Sequence, residues 1–134
     1  MNSAALKILI LGGTHFLGIH LTEELVQRGH ELTLFNRGTQ KVNLRVQQLQ
    51  GNQAGDLKVL RGYAWDAVIH TSRHLPHIVE QSAKMLLNST NHYTSLSTIG
   101  VYKNFDIFDI DEGYPLAVIK EPTHPHDRAM GKYL

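Results

Sequence analysis

The sequence predicts a doubly wound α/β domain, a parallel sheet of about five strands in the order 3-2-1-4-5. Three observations carry that expectation. The run LKILIL is continuously apolar and bounded by glycine, as in a strand buried on both faces. The stretch LGGTHFLG follows it, placing Gly12, Gly13 and Gly18 between that run and a helix-like period. Strand and helix patterns then alternate as far as Tyr102.

Each element has its own signal. From Phe16 to Arg28, Leu17, Leu21 and Leu25 recur four apart with Val26 beside them, while Thr22, Glu23, Glu24 and Gln27 take the other side. Arg28 falls in the last turn of this helix, and Gly29 supplies a C-terminal stop. ELTLFNRG gives a second strand over Leu32 to Phe35, closed by Asn36 to Gly38. Together these make one right-handed βαβ unit.

The segment KVNLRVQQLQGN is ambiguous. Val42, Leu44 and Val46 alternate as in a strand, whereas Val42, Val46 and Leu49 would line a short helix; a short strand over 46–50 is the expectation. A short helix over 56–60 follows, then a strand over Ala67 to His70. Pro76 suits the first turn of a helix whose buried side is Ile78, Val79, Ser82, Ala83, Leu86 and Leu87, running to about Asn91. HYTSLST supplies the fifth strand, with Trp65 packing at the start of the fourth. From Lys103 to Leu134 the pattern dissolves into a tail of loop with at most one short helix, holding Pro115, Pro122 and Pro125.

At 134 residues the chain is long enough for one domain with a sizeable core. Thirteen basic side chains against twelve acidic ones leave a charge of +1, which argues against a dedicated binder of nucleic acid or anionic membrane. There is no cysteine, so disulfides and thiolate chemistry are excluded. The first apolar run, Leu6 to Leu11, is only strand length and leads straight into glycines, unlike a leader or a membrane span; a cytoplasmic protein is expected.

Gly12 permits the tight turn, Gly18 lets the helix pack against the strand, and the helix N-terminus would aim amides at a pyrophosphate. Four stretches in order, GGTHFLG, FNRG, GDLKVLRGYAWDAVIHTS and SLSTIGVY, resemble the N-terminal half of an extended or atypical short-chain dehydrogenase/reductase. This is the NAD(P)-dependent epimerase/dehydratase family, and within it the branch with a GGTxFLG loop, which includes chloroplast stem-loop RNA-binding proteins. The likeness covers residues 6–116. It implies a Rossmann domain, a bound NAD(H) or NADP(H), and a sugar-like or related carbonyl or alcohol substrate.

Carried over by position, the resemblance makes Gly12, Gly13, Thr14, His15, Phe16, Leu17 and Gly18 the pyrophosphate loop. His15 stands where the family has its middle glycine, so either its imidazole donates to a phosphate or it faces solvent. At the end of the second strand an acidic residue normally accepts from both ribose hydroxyls. Here Asn36 and Arg37 stand instead, favouring NADP(H) over NAD(H), unless Arg37 is only a solvated turn residue. Gly51 and Asn52 match the pair that meets the adenine edge. His70, Thr71 and Ser72 match residues lining the ribose and phosphates at the switch point between strands 1 and 4.

Thr98 matches the Ser/Thr that orients the substrate oxygen. The partnering Tyr-x-x-x-Lys occurs nowhere in the chain; Met130 and Gly131 stand where the family has Tyr-Gly, and Leu134 where it has lysine. The resemblance therefore implies either part of a longer enzyme or a short relative that has lost catalysis. The competing readings are a non-catalytic dinucleotide sensor, an RNA-binding relative, or a purely structural domain. No metal site is expected, because Pro76 separates His70 and His74 from His77. A fifth strand without further neighbours would favour a homodimer.

Overall fold

A computed structural model of the chain describes residues 4–38, 46–52, 57–71, 76–97, 101–104 and 106–117. The chain divides into two compact units, residues 1–96 and 97–134. The first holds a sheet of β1 (Lys7–Leu11), β2 (Glu31–Asn36), β3 (Gln47–Gln50), β4 (Trp65–His70) and β5 (Thr90–Ser95). Helix α1 (Phe16–Gln27) joins β1 to β2, a 3₁₀ turn (Lys58–Leu60) precedes β4, and α2 (Pro76–Leu86) joins β4 to β5. All pairings are parallel, in the order β3-β2-β1-β4-β5, as the alternating pattern predicts.

Strand β1 shows why the pattern works. Side chains alternate across a strand, so a strand covered on both faces must be apolar at every position. Leu9 and Leu11 join Phe35, Leu57, Leu60, Trp65, Val68 and Leu86 in one core. Ile8 and Ile10 join Leu32 and Leu34 in the other, covered by Leu21, Leu25 and Val26 of α1. Gly29 ends α1 at φ 84°, donating to the Val26 carbonyl at 3.0 Å, and Trp65 is buried and stacked on Tyr63.

Three details depart from the pattern. On α1, Leu17 is 52% exposed, while Thr22, expected on the polar side, is 1% exposed. The Thr22 hydroxyl donates to the Gly18 carbonyl at 2.7 Å, so its burial strands no polar atom. On the second helix, Leu87 is 70% exposed because α2 stops at Leu86 rather than near Asn91. Ser89 closes a turn onto the Leu86 carbonyl, its own carbonyl accepts from Trp65, and β5 begins at Thr90 rather than His92. The expected helix over 56–60 is a single 3₁₀ turn, with Asp56 outside the described residues.

In the second unit, Tyr102 and Leu116 form an antiparallel bridge. Lys103 donates to the Pro115 carbonyl and Ala117 to that of Val101.

Candidate functional site

The site begins where β1 ends. Gly12 (φ 107°) and Gly13 (φ 86°) both occupy the left-handed region, which side chains resist. Gly12 donates to the Phe35 carbonyl at 2.9 Å. Gly13 donates to the Thr71 hydroxyl at 3.1 Å, and that hydroxyl donates to the Leu11 carbonyl at 3.0 Å. The loop is thus anchored from the second strand and from the end of the fourth.

Glycine is also required by space. A Cβ on Gly13 would lie 2.9 Å from Leu34 Cδ2, and one on Gly18 only 2.6 Å from Gly13 Cα. α1 therefore starts directly against the loop. His15 precedes its first turn in an extended conformation, its carbonyl accepting from Ile19 at 3.0 Å and its side chain making no cap bond. The amides of Phe16, Leu17 and Gly18 precede the first intrahelical bond, and no acidic side chain lies in that turn. Such a start suits an anion. His15, Phe16 and Leu17 are exposed beside it, the Phe16 ring 81% so and edge-on to His20.

Asn36 lies at the end of β2, only 8% exposed. Its Nδ2 donates to the Gly12 carbonyl at 3.2 Å, and its Oδ1 accepts from the Gly38 amide at 2.9 Å and Gln48 Nε2 at 2.7 Å. Arg37 is exposed, its carbonyl held by Gln50 Nε2 at 2.9 Å. Asn52 is exposed just beyond β3.

Not every expected residue reaches the crevice. His70 continues the Val68 face of β4 and is 1% exposed, with Nδ1 3.1 Å from the Tyr93 hydroxyl. That hydroxyl lies 2.7 Å from Ser82 Oγ, which donates to the Val79 carbonyl. The imidazole is buried in the core, where the family match implies a lining for ribose or phosphate. Burial pushes the Tyr93 phenol above its ordinary value, against the opposing effect of its hydrogen bond with Ser82. Ser72, His74 and Thr98 lie outside the described residues.

Gln48, Gln50 and Thr22 were not singled out by motif. The only trace of the first two is the i, i+2 repeat on β3, which sets both on one face of a strand in register with Leu34 and Asn36. Two shallow hollows, of about 350 and 330 Å³, open at the amino ends of the strands around Lys7 and Trp65, away from the glycine loop.

A glycine turn running into a helix N-terminus, at the carboxyl edge where β1 parts from β2 and β4, defines a Rossmann-type domain. The chain belongs to the NAD dependent epimerase/dehydratase family, whose model matches residues 8–99. It is 44% identical over 54 residues to the chloroplast stem-loop binding protein of 41 kDa b of Arabidopsis thaliana, covering 40% of this chain and 14% of that one. It is 29% identical over 103 residues to the UDP-glucose 4-epimerase of Klebsiella pneumoniae, covering 66% and 73%. The fold superposes on the Bordetella bronchiseptica enzyme WbmG in complex with NAD with a TM-score of 0.73 at 18% identity, covering 87% of this chain and 45% of that one. The chain thus spans less than half of the stem-loop protein and of WbmG. Among the described residues no helix is long and apolar enough to cross a membrane.

Proposed function

We propose that this chain is the dinucleotide-holding part of a cytoplasmic epimerase, dehydratase or reductase, and that it prefers NADP(H) to NAD(H). The observation that carries the reading is the glycine loop with α1 pressed against it, its first turn containing no acidic residue. The glycine cradle and its donors fit a pyrophosphate. Gly12, Gly13, Thr14 and the Phe16–Gly18 turn would hold it, with Thr71 bracing the loop from β4. The dinucleotide, when bound, supplies hydride transfer.

The preference for NADP(H) rests on charge. No carboxylate stands at the end of β2, and the exposed guanidinium of Arg37 suits a 2′-phosphate. Thr98 would orient the oxygen of a sugar-like substrate, by its match to the family motif. The proton-transferring Tyr/Lys pair would come from elsewhere in the intact protein, since this sequence has no Tyr-x-x-x-Lys.

Calorimetric titration with NADPH and NADH tests the reading. NADPH should bind about tenfold more tightly, and Arg37→Ala should erase that difference while leaving NADH unchanged. Equal affinities in the unaltered protein refute the preference, and no binding of either refutes the site. The stem-loop protein's identity favours a second reading, RNA binding; an RNA hairpin shifted by the protein where neither dinucleotide binds would establish it.

A further inference from the structure

We propose that Asn36 is a positioning residue: its carboxamide, oriented by Gly38 and Gln48, fastens the first glycine of the loop and leaves only a donor for the ribose end of a bound dinucleotide. The donor for the ribose end rests on the dinucleotide reading, whereas the fastening of Gly12 stands on the geometry alone.

The orientation of the amide is fixed by its neighbours. Gly38 N–H can only donate, and it lies 2.9 Å from one terminal atom of the side chain, which must therefore be the oxygen. Gln48 Nε2 donates to the same oxygen at 2.7 Å. The remaining terminal atom is then Nδ2, and it faces a group that can only accept, the Gly12 carbonyl at 3.2 Å. Both lone pairs of Oδ1 are engaged, while among the described residues only one of the two Nδ2 protons has an acceptor. Main-chain bonds complete the clamp, since the Asn36 carbonyl accepts from Gly51 and Gly12 donates to the Phe35 carbonyl.

An aspartate here would lose the bond to Gly12. One carboxylate oxygen could accept from Gly38 and Gln48, but the other would oppose the Gly12 carbonyl, acceptor against acceptor, at a position only 8% exposed. Where an acidic residue accepts from a ribose diol, this amide has no acceptor to spare, and its second N–H would be the group left for a phosphate ester. The glycine loop and the ribose end are thus coupled through one side chain. The identity of residue 36 sets the position of Gly12 as well as the ligand's charge.

Asn36→Asp separates this arrangement from plain ribose reading. If residue 36 only reads the ribose, the new carboxylate should tighten NADH and weaken NADPH. The clamp predicts instead that both weaken about tenfold or more. It also predicts faster amide hydrogen exchange at Gly12 and Gly13 in the protein without ligand. Gln48→Glu, on the exposed edge strand, should raise the same exchange rates without disturbing the core, because a carboxylate there cannot donate to Oδ1.

Tighter NADH binding in Asn36→Asp, or unchanged exchange at both glycines in the two variants, overturns the proposal. If the unaltered protein binds neither dinucleotide, the functional reading falls. The exchange rates then decide the clamp by themselves.

Discussion

Gly18→Ala probes the contact on which the site depends. The added methyl would sit 2.6 Å from Gly13 Cα, 2.9 Å from Gly13 C and 3.2 Å from Gly13 N. Carbon atoms settle at about 3.5–4.0 Å, so α1 must retreat by about 1 Å or the loop must yield. All three neighbours are backbone and none can rotate away, which puts the overpacking cost near 3 kcal/mol, the upper end of its range. Replacing glycine by alanine inside a helix returns about 1 kcal/mol. A net loss of about 2 kcal/mol corresponds, for a chain of this length, to a melting temperature about 7 °C lower.

Dinucleotide affinity should fall by about tenfold, because the first-turn amides move with the helix. The assay pairs thermal denaturation with calorimetry. Gly29→Ala serves as the control, since Gly29 sits at φ 84° with nothing within 4 Å of the added methyl. It should cost about 1–2 kcal/mol of stability and leave binding intact. If Gly18→Ala melts at or above the unaltered protein and binds equally well, the close approach of helix and loop does not govern the site.

Other expectations follow from the core and the sheet edge. Tyr93→Phe removes the hydroxyl between His70 and Ser82 and should cost about 1 kcal/mol at neutral pH. Burial keeps the folded Tyr93 protonated to higher pH than the unfolded one, so above about pH 10 the folded state binds more protons and stability falls as pH rises. Denaturant titrations across that range should show the fall in the unaltered protein and a shallower one in Tyr93→Phe; parallel profiles would show that Tyr93 is not its source. Among the described residues β5 pairs with β4 alone, leaving an open edge. Sedimentation should show concentration-dependent self-association that Asn91→Lys with Thr94→Lys diminishes, whereas a monomer at every concentration would refute pairing through that edge.

The sheet order, both glycine turns flanking α1 and the placement of Trp65 were legible in the sequence because they depend on local chemistry. Continuous apolarity marks a strand covered on two faces, and Gly29 marks a helix end. What escaped depends on contacts between distant segments. Thr22 looked like a surface residue because its hydroxyl is polar, yet the carbonyl that satisfies it is one turn away and its hydroxyl lies beside Gly13, where a Cβ would be 3.5 Å from it. His70 followed a family motif at the strand's end, but strand alternation gave its side chain to the core. Asn36 was legible as a lost carboxylate and not as a clamp, because Gln48 reaches it only through the pairing of β2 with β3. Leu87 had helical spacing, and the Trp65 amide nevertheless draws Ser89 into the turn that leads into β5.

The register of β1 bears on the order in which the crevice is assembled. Its pairing with β2 joins Ile8 to Leu32, 24 residues away (32 − 8), whereas its pairing with β4 joins Ile8 to Ala67, 59 residues away (67 − 8). Closing the longer loop costs about 0.8 kcal/mol more in chain entropy. The β1–α1–β2 segment by itself contains Gly12, its Phe35 acceptor, Asn36 and the Gly13–Gly18 approach. Most of the loop's contacts thus lie within one short stretch of chain, and Thr71 adds a latch from the more distant β4.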